Sequence, residues 1–220
     1  MKLGNWLRNT TATLTLALGL FVGVGAAHAE YTCQPQADGT QRCAVGLRSE
    51  VIGATTAAVG GQRQSQWCWA ASISTVLRYH GFEVSQRRIV AETFGQVVNM
   101  PGSAQHIVGA LNRVWTDDHG RRFMVQADAS SASPLTAAQD LAANEPLIIG
   151  TLGHAMVLTA LDYTADGWGN FYVTDAVVRD PWPGRGRRSL APQEWYGTQL
   201  LVRIRVTPLR DDANGGAWAW

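Results

Sequence analysis

From residue 146 onward the chain stops repeating its apolar residues at helical intervals. It breaks instead into short apolar runs, PLIIGTL, HAMVLTALDY, NFYVTDAVV and LLVRIRV, separated by turns rich in Gly, Pro and Asp. Runs of that length bounded by turn formers are strands, and their succession specifies one antiparallel sheet. Ahead of them the period is that of a helix. Trp69, Ile73, Val76 and Leu77 recur three and four residues apart, Ser72, Thr75 and Tyr79 fall on another face, and Gly81 stands where a helix would stop. Ser85 before IVAETF, Ser103 before AQHIVGALNRVW and Ser133-Pro134 before LTAAQDLAA each place a capping residue ahead of an apolar repeat. FMVQA, 123–127, is one further strand among the helices. A helical N-terminal half followed by a sheet-forming C-terminal half predicts an α+β fold.

Both ends fall outside that pattern. Lys2 and Arg8 precede the apolar stretch TLTLALGLFVGVGAA, which ends in Ala27-His28-Ala29. This order of charge, apolar stretch and small residues is that of a cleavable secretory signal, so residues 1–29 are set apart from the fold. The tail RDDANGGAWAW, 210–220, has no period and reads as irregular. Between them we expect an N-terminal extension, 30–57, and a catalytic domain, 58–209. Without Lys2 and Arg8 the 18 basic residues become 16 against 17 acidic ones, a formal charge of −1. Such balance offers nothing to nucleic acid, or to an anionic membrane once the signal is removed. A secreted or periplasmic protein is expected.

Cysteine use agrees with export. Cys33 and Cys43 flank QPQADGTQR, whose Pro35 and Asp38-Gly39 favour a turn, and in an oxidising compartment the pair closes a disulfide hairpin. Cys68, inside QSQWCWAASIS, is left over, either as an inert core thiol or as a nucleophile. It stands in the first turn of a helix, where unpaired N–H groups carry roughly half a positive charge and favour thiolate. A nucleophilic thiol needs a base. His80 ends the same helix about three turns away and is out of reach. His106 and His119 have no partner suggested by spacing. His154 follows Gly153 at the start of a strand, where the sheet can hold a ring at an open edge. No Cys/His pair has the spacing of metal ligands, and no cofactor is expected.

These residues carry a resemblance. Gln62, Cys68-Trp69-Ala70, Gly153-His154-Ala155 and Asp180-Pro181 resemble the papain-like cysteine peptidases, with order and spacing nearest the bacterial branch of plant-pathogen effector proteases and double-glycine leader peptidases. The resemblance runs over about residues 58–183. It implies a papain-like fold, a peptide or protein substrate, a Cys68/His154 pair with an orienting acid at Asp180, and Gln62, six residues before the cysteine, as an oxyanion donor. The plant-type members have C-G-S-C-W around the nucleophile, whereas this chain has S-Q-W-C-W. Trp69 is expected in the core; Trp67, at the cleft rim, and Gly153 are expected to border the substrate. The arginines of PGRGRRSL read as a solvated loop, with an acidic substrate as the alternative. The same triad also serves amidases and acyltransferases, and a catalytically silent binding domain can keep the fold.

Asp175 and Asp180 compete for the third position. With the turn TADGWGN centred at 166 or 167, His154 lies opposite residues 178–180 and Asp175 opposite a residue near 158. At about 3.3 Å per residue Asp175 is then about 13 Å from the histidine, so register selects Asp180.

Overall fold

A computed structural model describes residues 29–209. Apart from Ala29, the secretory leader lies outside the described residues, as does the tail of 210–220. The elements run β1 (Glu30–Pro35), β2 (Gln41–Gly46), α1 (Ser49–Val59), α2 (Cys68–Tyr79), α3 (Gln86–Phe94), α4 (Ala104–Leu111), β3 (Arg113–Thr116), β4 (Arg122–Asp128), α5 (Pro134–Ala142), β5 (Leu147–Thr151), β6 (His154–Ala165), β7 (Phe171–Asp180), β8 (Gly186–Ser189), α6 (Pro192–Tyr196) and β9 (Thr198–Pro208). The class is α+β. Three serines cap as their sequence context specifies: Ser85, Ser103 and Ser133 accept hydrogen bonds from the N–H groups of Arg88, His106 and Thr136.

Every strand pairing is antiparallel, in the order β1-β2-β6-β5-β9-β4-β3, with β7 on β6 and β8 on β7. β5 pairs with residues 154–158 of β6 and β2 with residues 160–165, so the two share one edge of the strand end to end and leave the other edge to β7. Alternation along the central strands sorts side chains to two cores. Ile148, Ala155 and Val157 join the cluster under α2, α3 and α4, while Leu147, Ile149, Met156 and Leu158 join the cluster with Ala137 and Leu141 of α5. Burial on both faces explains why these runs read as continuously apolar.

Residues 30–46 of the expected extension contribute β1 and β2 to the main sheet, and α1 runs across the expected 57/58 boundary. Cys33 and Cys43 are disulfide-bonded and sit opposite each other in the β1–β2 register, and β2 then pairs with β6. The apolar repeat after Ser103 stops earlier than expected. Asn112 ends α4, its side chain exchanging hydrogen bonds with both backbone groups of Ala127 (2.8 and 2.6 Å), and residues from Arg113 onward pair with β4 as β3. That docking gives Val114 and Trp115 to a strand.

Candidate active site

Cys68 is the first residue of α2 and the free cysteine among the described residues. The tryptophans on either side of it are anchors. Trp67 Nε1 donates to the Val98 carbonyl at 2.8 Å and Trp69 Nε1 to that of Met100 at 3.2 Å, fastening the 98–102 loop across the helix start. A side chain at Gly102 would put its Cβ 2.5 Å from the Trp69 ring, so only glycine lets the loop close down on it. Trp69 is the core residue its spacing predicts. Trp67, expected on the cleft rim, is instead 4% exposed and belongs to the core, because its indole N–H is used up on Val98 and its ring packs inward.

His154 begins β6, after Gly153, whose φ of +77° lies in the left-handed region that favours glycine. Its Nε2 is 2.7 Å from Oδ1 of Asp180 at the end of β7. Cys68 and His154 are close enough to bias each other's protonation, the ring lowering the thiol and the sulfur raising the ring. The backbone N–H groups of Ala155 and Trp69 also favour the thiolate. Asp180 has a fully buried carboxylate that accepts the Trp182 N–H at Oδ1 (2.9 Å) and Nε of Arg188 at Oδ2 (2.9 Å).

The charges follow from these contacts. Burial pushes the Cys68 thiol up, but the His154 ring and the two backbone donors outweigh it and hold the thiol below its ordinary value. Burial likewise disfavours imidazolium, yet Asp180 and the sulfur raise His154 to about 9. Asp180, against its burial, is held well below the usual carboxylate range by His154, the Trp182 N–H and Arg188. α2 has no acidic residue in its first turn, so the positive end of the helix is not neutralised before it reaches the sulfur. The arrangement favours a thiolate–imidazolium pair.

Gln62 is placed beside this group by its backbone. Its N–H donates to the Pro181 carbonyl at 2.7 Å, next to Asp180, and buried Gln86 grips the same loop through the Gly61 carbonyl (3.0 Å) and the Arg63 N–H (3.0 Å). The Gln62 amide points its two hydrogens at the carbonyls of Gln64 (3.0 Å) and Ser65 (2.9 Å), and its Oε1 is buried without a partner. Both donors are therefore engaged in this structure.

The remaining candidates lie elsewhere. Asp175 stands opposite Asp162 and accepts from Ser189, far along β6 from the histidine. His106 completes the cap of α4, His119 contacts Glu83, and His80 lies 3.2 Å from Glu145. One arginine of PGRGRRSL is not in a solvated loop. Arg188 is 22% exposed and forks onto Glu194 with two 2.7 Å bonds while Nε serves Asp180. Sequence spacing missed Arg188, Glu194 and Trp182, whose ring meets His154 edge-on with centroids 6.3 Å apart; the relation of Arg188 and Glu194 to Asp180 exists only once β8 folds back on β7. Among the described residues there is no cluster of three or more His, Cys, Asp or Glu able to hold a metal, and no helix long and apolar enough to cross a membrane.

A cysteine at a helix start, facing a histidine at the start of an antiparallel strand, is the arrangement of the papain-like cysteine peptidase fold. Residues 56–195 match the family described as the Peptidase_C39 like family, and the chain belongs to it. A comparison with curated proteins finds no match. Among solved structures, the chain is similar to the crystal structure of UfSP from C. elegans at 16% identity with a TM-score of 0.37, over 69% of this chain. It spans 30% of that protein's length.

Proposed function

We propose that the protein is a secreted or periplasmic cysteine peptidase that hydrolyses peptide bonds through Cys68, His154 and Asp180. The observation that carries this reading is the His154 ring, bonded at Nε2 to Asp180 at 2.7 Å and raised by the nearby Cys68 sulfur, whose own thiol it lowers. The thiolate attacks the scissile carbonyl, forming the C–S bond and an oxyanion. The imidazolium then gives its proton to the leaving amine as the C–N bond breaks. Water, losing a proton to the imidazole, attacks the thioester and frees the acid and the thiolate. Asp180 fixes the ring and stabilises the imidazolium.

The Cys68 N–H, at the first helical position and so without an intrahelical partner, is one donor to the oxyanion. Gln62 is the other. The charged oxyanion is a stronger acceptor than the Gln64 or Ser65 carbonyl, and draws one amide N–H away from them as it forms. Gly153 leaves the strand start open beside the ring, and 68%-exposed Leu152 supplies apolar surface there. Family membership and the β1–β2 disulfide support the class and the oxidising compartment. Within that class our reading places the chain nearest the bacterial effector proteases and leader peptidases.

The test is reaction of freshly reduced, folded protein with a thiol-directed electrophilic peptide, together with hydrolysis of casein, cell-wall peptides and small acyl donors. Selective labelling of Cys68 and casein cleavage lost in Cys68→Ala are expected. Labelling with turnover only of cell-wall peptides or acyl donors would replace the peptidase by an amidase or acyltransferase, and absence of labelling would leave a binding domain.

A further inference from the structure

On β8, Arg187 stands directly opposite Arg179 of β7. Like charges facing each other across an antiparallel pair destabilise it. The other two arginines of the hairpin, Arg185 and Arg188, face Asp180 or Glu194, whereas Arg179 and Arg187 have no carboxylate partner among the described residues. Arg179 donates only to the Ser49 carbonyl, at 3.3 Å, and its Nε is buried without a partner. Burial and the neighbouring Arg187 both work against its charge and pull it below the ordinary arginine value. A half-buried guanidinium set against a second one is a costly feature of the hairpin that folding alone does not require.

Arg179 lines a cleft of about 610 Å³ between α1 and the 181–186 turn, together with Arg185 and Trp182. Gln62 and Ser72 also line it, 8% and 1% exposed, and both carry a buried polar atom with no partner, Gln62 Oε1 and Ser72 Oγ. The vacant groups differ in kind. Arg179 needs an anion; Gln62 Oε1 needs an N–H. An inorganic anion satisfies only the first, whereas a peptide bearing a carboxylate satisfies both. Asp180, which bonds His154, and Trp182, whose ring meets it, both border the cleft, so it adjoins the Cys68/His154 pair although neither of these two residues lines it.

We propose that the cleft between α1 and the β7–β8 turn is a subsite for a carboxylate-bearing stretch of the substrate, with Arg179 and Arg185 taking the carboxylate and Gln62 Oε1 accepting a peptide N–H. This rests on the peptidase reading and adds a substrate class to it: peptides acidic near the scissile bond, through a side chain or a free C-terminus.

Two measurements test it. In the first, Cys68→Ala protein is titrated with glutarate, with the neutral diamide glutaramide and with inorganic phosphate, following the Arg179 Nε and Trp182 indole resonances. Glutarate is expected to shift both, glutaramide neither, and Arg179→Gln to abolish the Trp182 response. Equal response to glutaramide, response to phosphate alone, or no response would overturn the subsite. In the second, peptides identical except for Glu or Gln, each with a free or amidated C-terminus, are compared as substrates. Acidic peptides are expected to have kcat/KM about 10- to 100-fold higher than neutral ones, as for a hydrogen bond to a charged group, with Arg179→Gln removing the difference. The Glu/Gln and acid/amide arms identify which carboxylate is read, and no preference in either overturns the proposal. If no peptide is cleaved, the peptidase reading fails while the titration still decides whether the cleft takes a carboxylate.

Discussion

Nε2 of His154 lies 2.7 Å from Oδ1 of Asp180, although the two are not opposite each other on β6 and β7. Val157 pairs with Arg179, so Asp180 is level with Met156, two residues along from the histidine. The hairpin tip pairs Ala165 with Phe171 and is thus centred at 168, beyond the 166 or 167 expected from the turn sequence. That centre alone would put Asp175 opposite residue 161, and a bulge between Asp162 and Tyr163 carries it one residue further, opposite Asp162 rather than near 158. Both shifts move Asp175 further from the ring. Asp180 makes up the remaining offset with its side chain, because β7 ends there and the Trp182 N–H turns its carboxylate inward. We expect Asp180→Ala to lower kcat by about 10²-fold or more with folding intact, since His154 loses the group that orients it. Asp175→Ala should stay within a few-fold in the same assay. The reverse result would remove Asp180 from the proposed triad.

The proposed pair also sets a pH profile. His154 is raised to about 9 and Cys68 is lowered, so the thiolate–imidazolium form occupies the window between the two. Acidification through the lower pKa protonates the sulfur. Alkalinisation through about 9 strips the imidazolium of the proton the leaving amine needs. A rate profile of kcat/KM should therefore fall on its alkaline side near pH 9, and Asp180→Asn should move that fall to lower pH. An alkaline limb unmoved by Asp180→Asn would mean it reports some other group.

Arg188 is a positioning residue in this scheme, held by Glu194 and in turn holding Oδ2 of Asp180. Arg188→Met leaves a buried carboxylate short of its partner, a change that costs about 3–5 kcal/mol of stability in comparable pairs. Glu194→Gln is the sharper variant. It removes one negative charge from the chain of groups behind His154, so the ring gives up its proton more readily and the alkaline limb should shift downward. A variant with lower melting temperature but the same pH profile would assign Arg188 and Glu194 to folding alone.

Gln62 has two possible duties with different signatures. As an oxyanion donor its loss should lower kcat by about 10²- to 10³-fold with little effect on melting. As an anchor of the loop at Gln64 and Ser65 its loss should lower the melting temperature, with kcat falling no more than in Gln86→Ala, which loosens the same loop from Gly61 and Arg63. Measuring both quantities for both variants separates them.

The Cys33–Cys43 link closes a 10-residue separation at the sheet's β1 edge, remote in sequence from Cys68 and His154. Replacing both cysteines by serine should lower stability by about 2–3 kcal/mol, as for short closed loops, and leave kcat unchanged at 25 °C. Loss of Cys68 reactivity in this variant would show that the hairpin supports the site as well as the sheet.

Local physics determined what the sequence could announce. The apolar period through Trp69, Ile73, Val76 and Leu77 made α2 and put Cys68 at its start; three serines set helix starts; the apolar runs after residue 146 made β5, β6, β7 and β9. Each of these depends on residues within a turn or two of one another. What the tertiary structure decided involves partners far apart along the chain whose pairing no local period encodes. The indole of Trp67 turned inward because the Val98 carbonyl waited there, 31 residues away. β2 joined the sheet because the 160–165 edge of β6 was open beyond the end of β5. Arg188 became part of the Asp180 environment because β8 folded back against β7, and the unmatched pair of Arg179 and Arg187 arose from the same register. A buried carboxylate or guanidinium takes whichever opposite charge the fold delivers within about 4 Å, and that distance is settled by strand order and register rather than by neighbours in sequence.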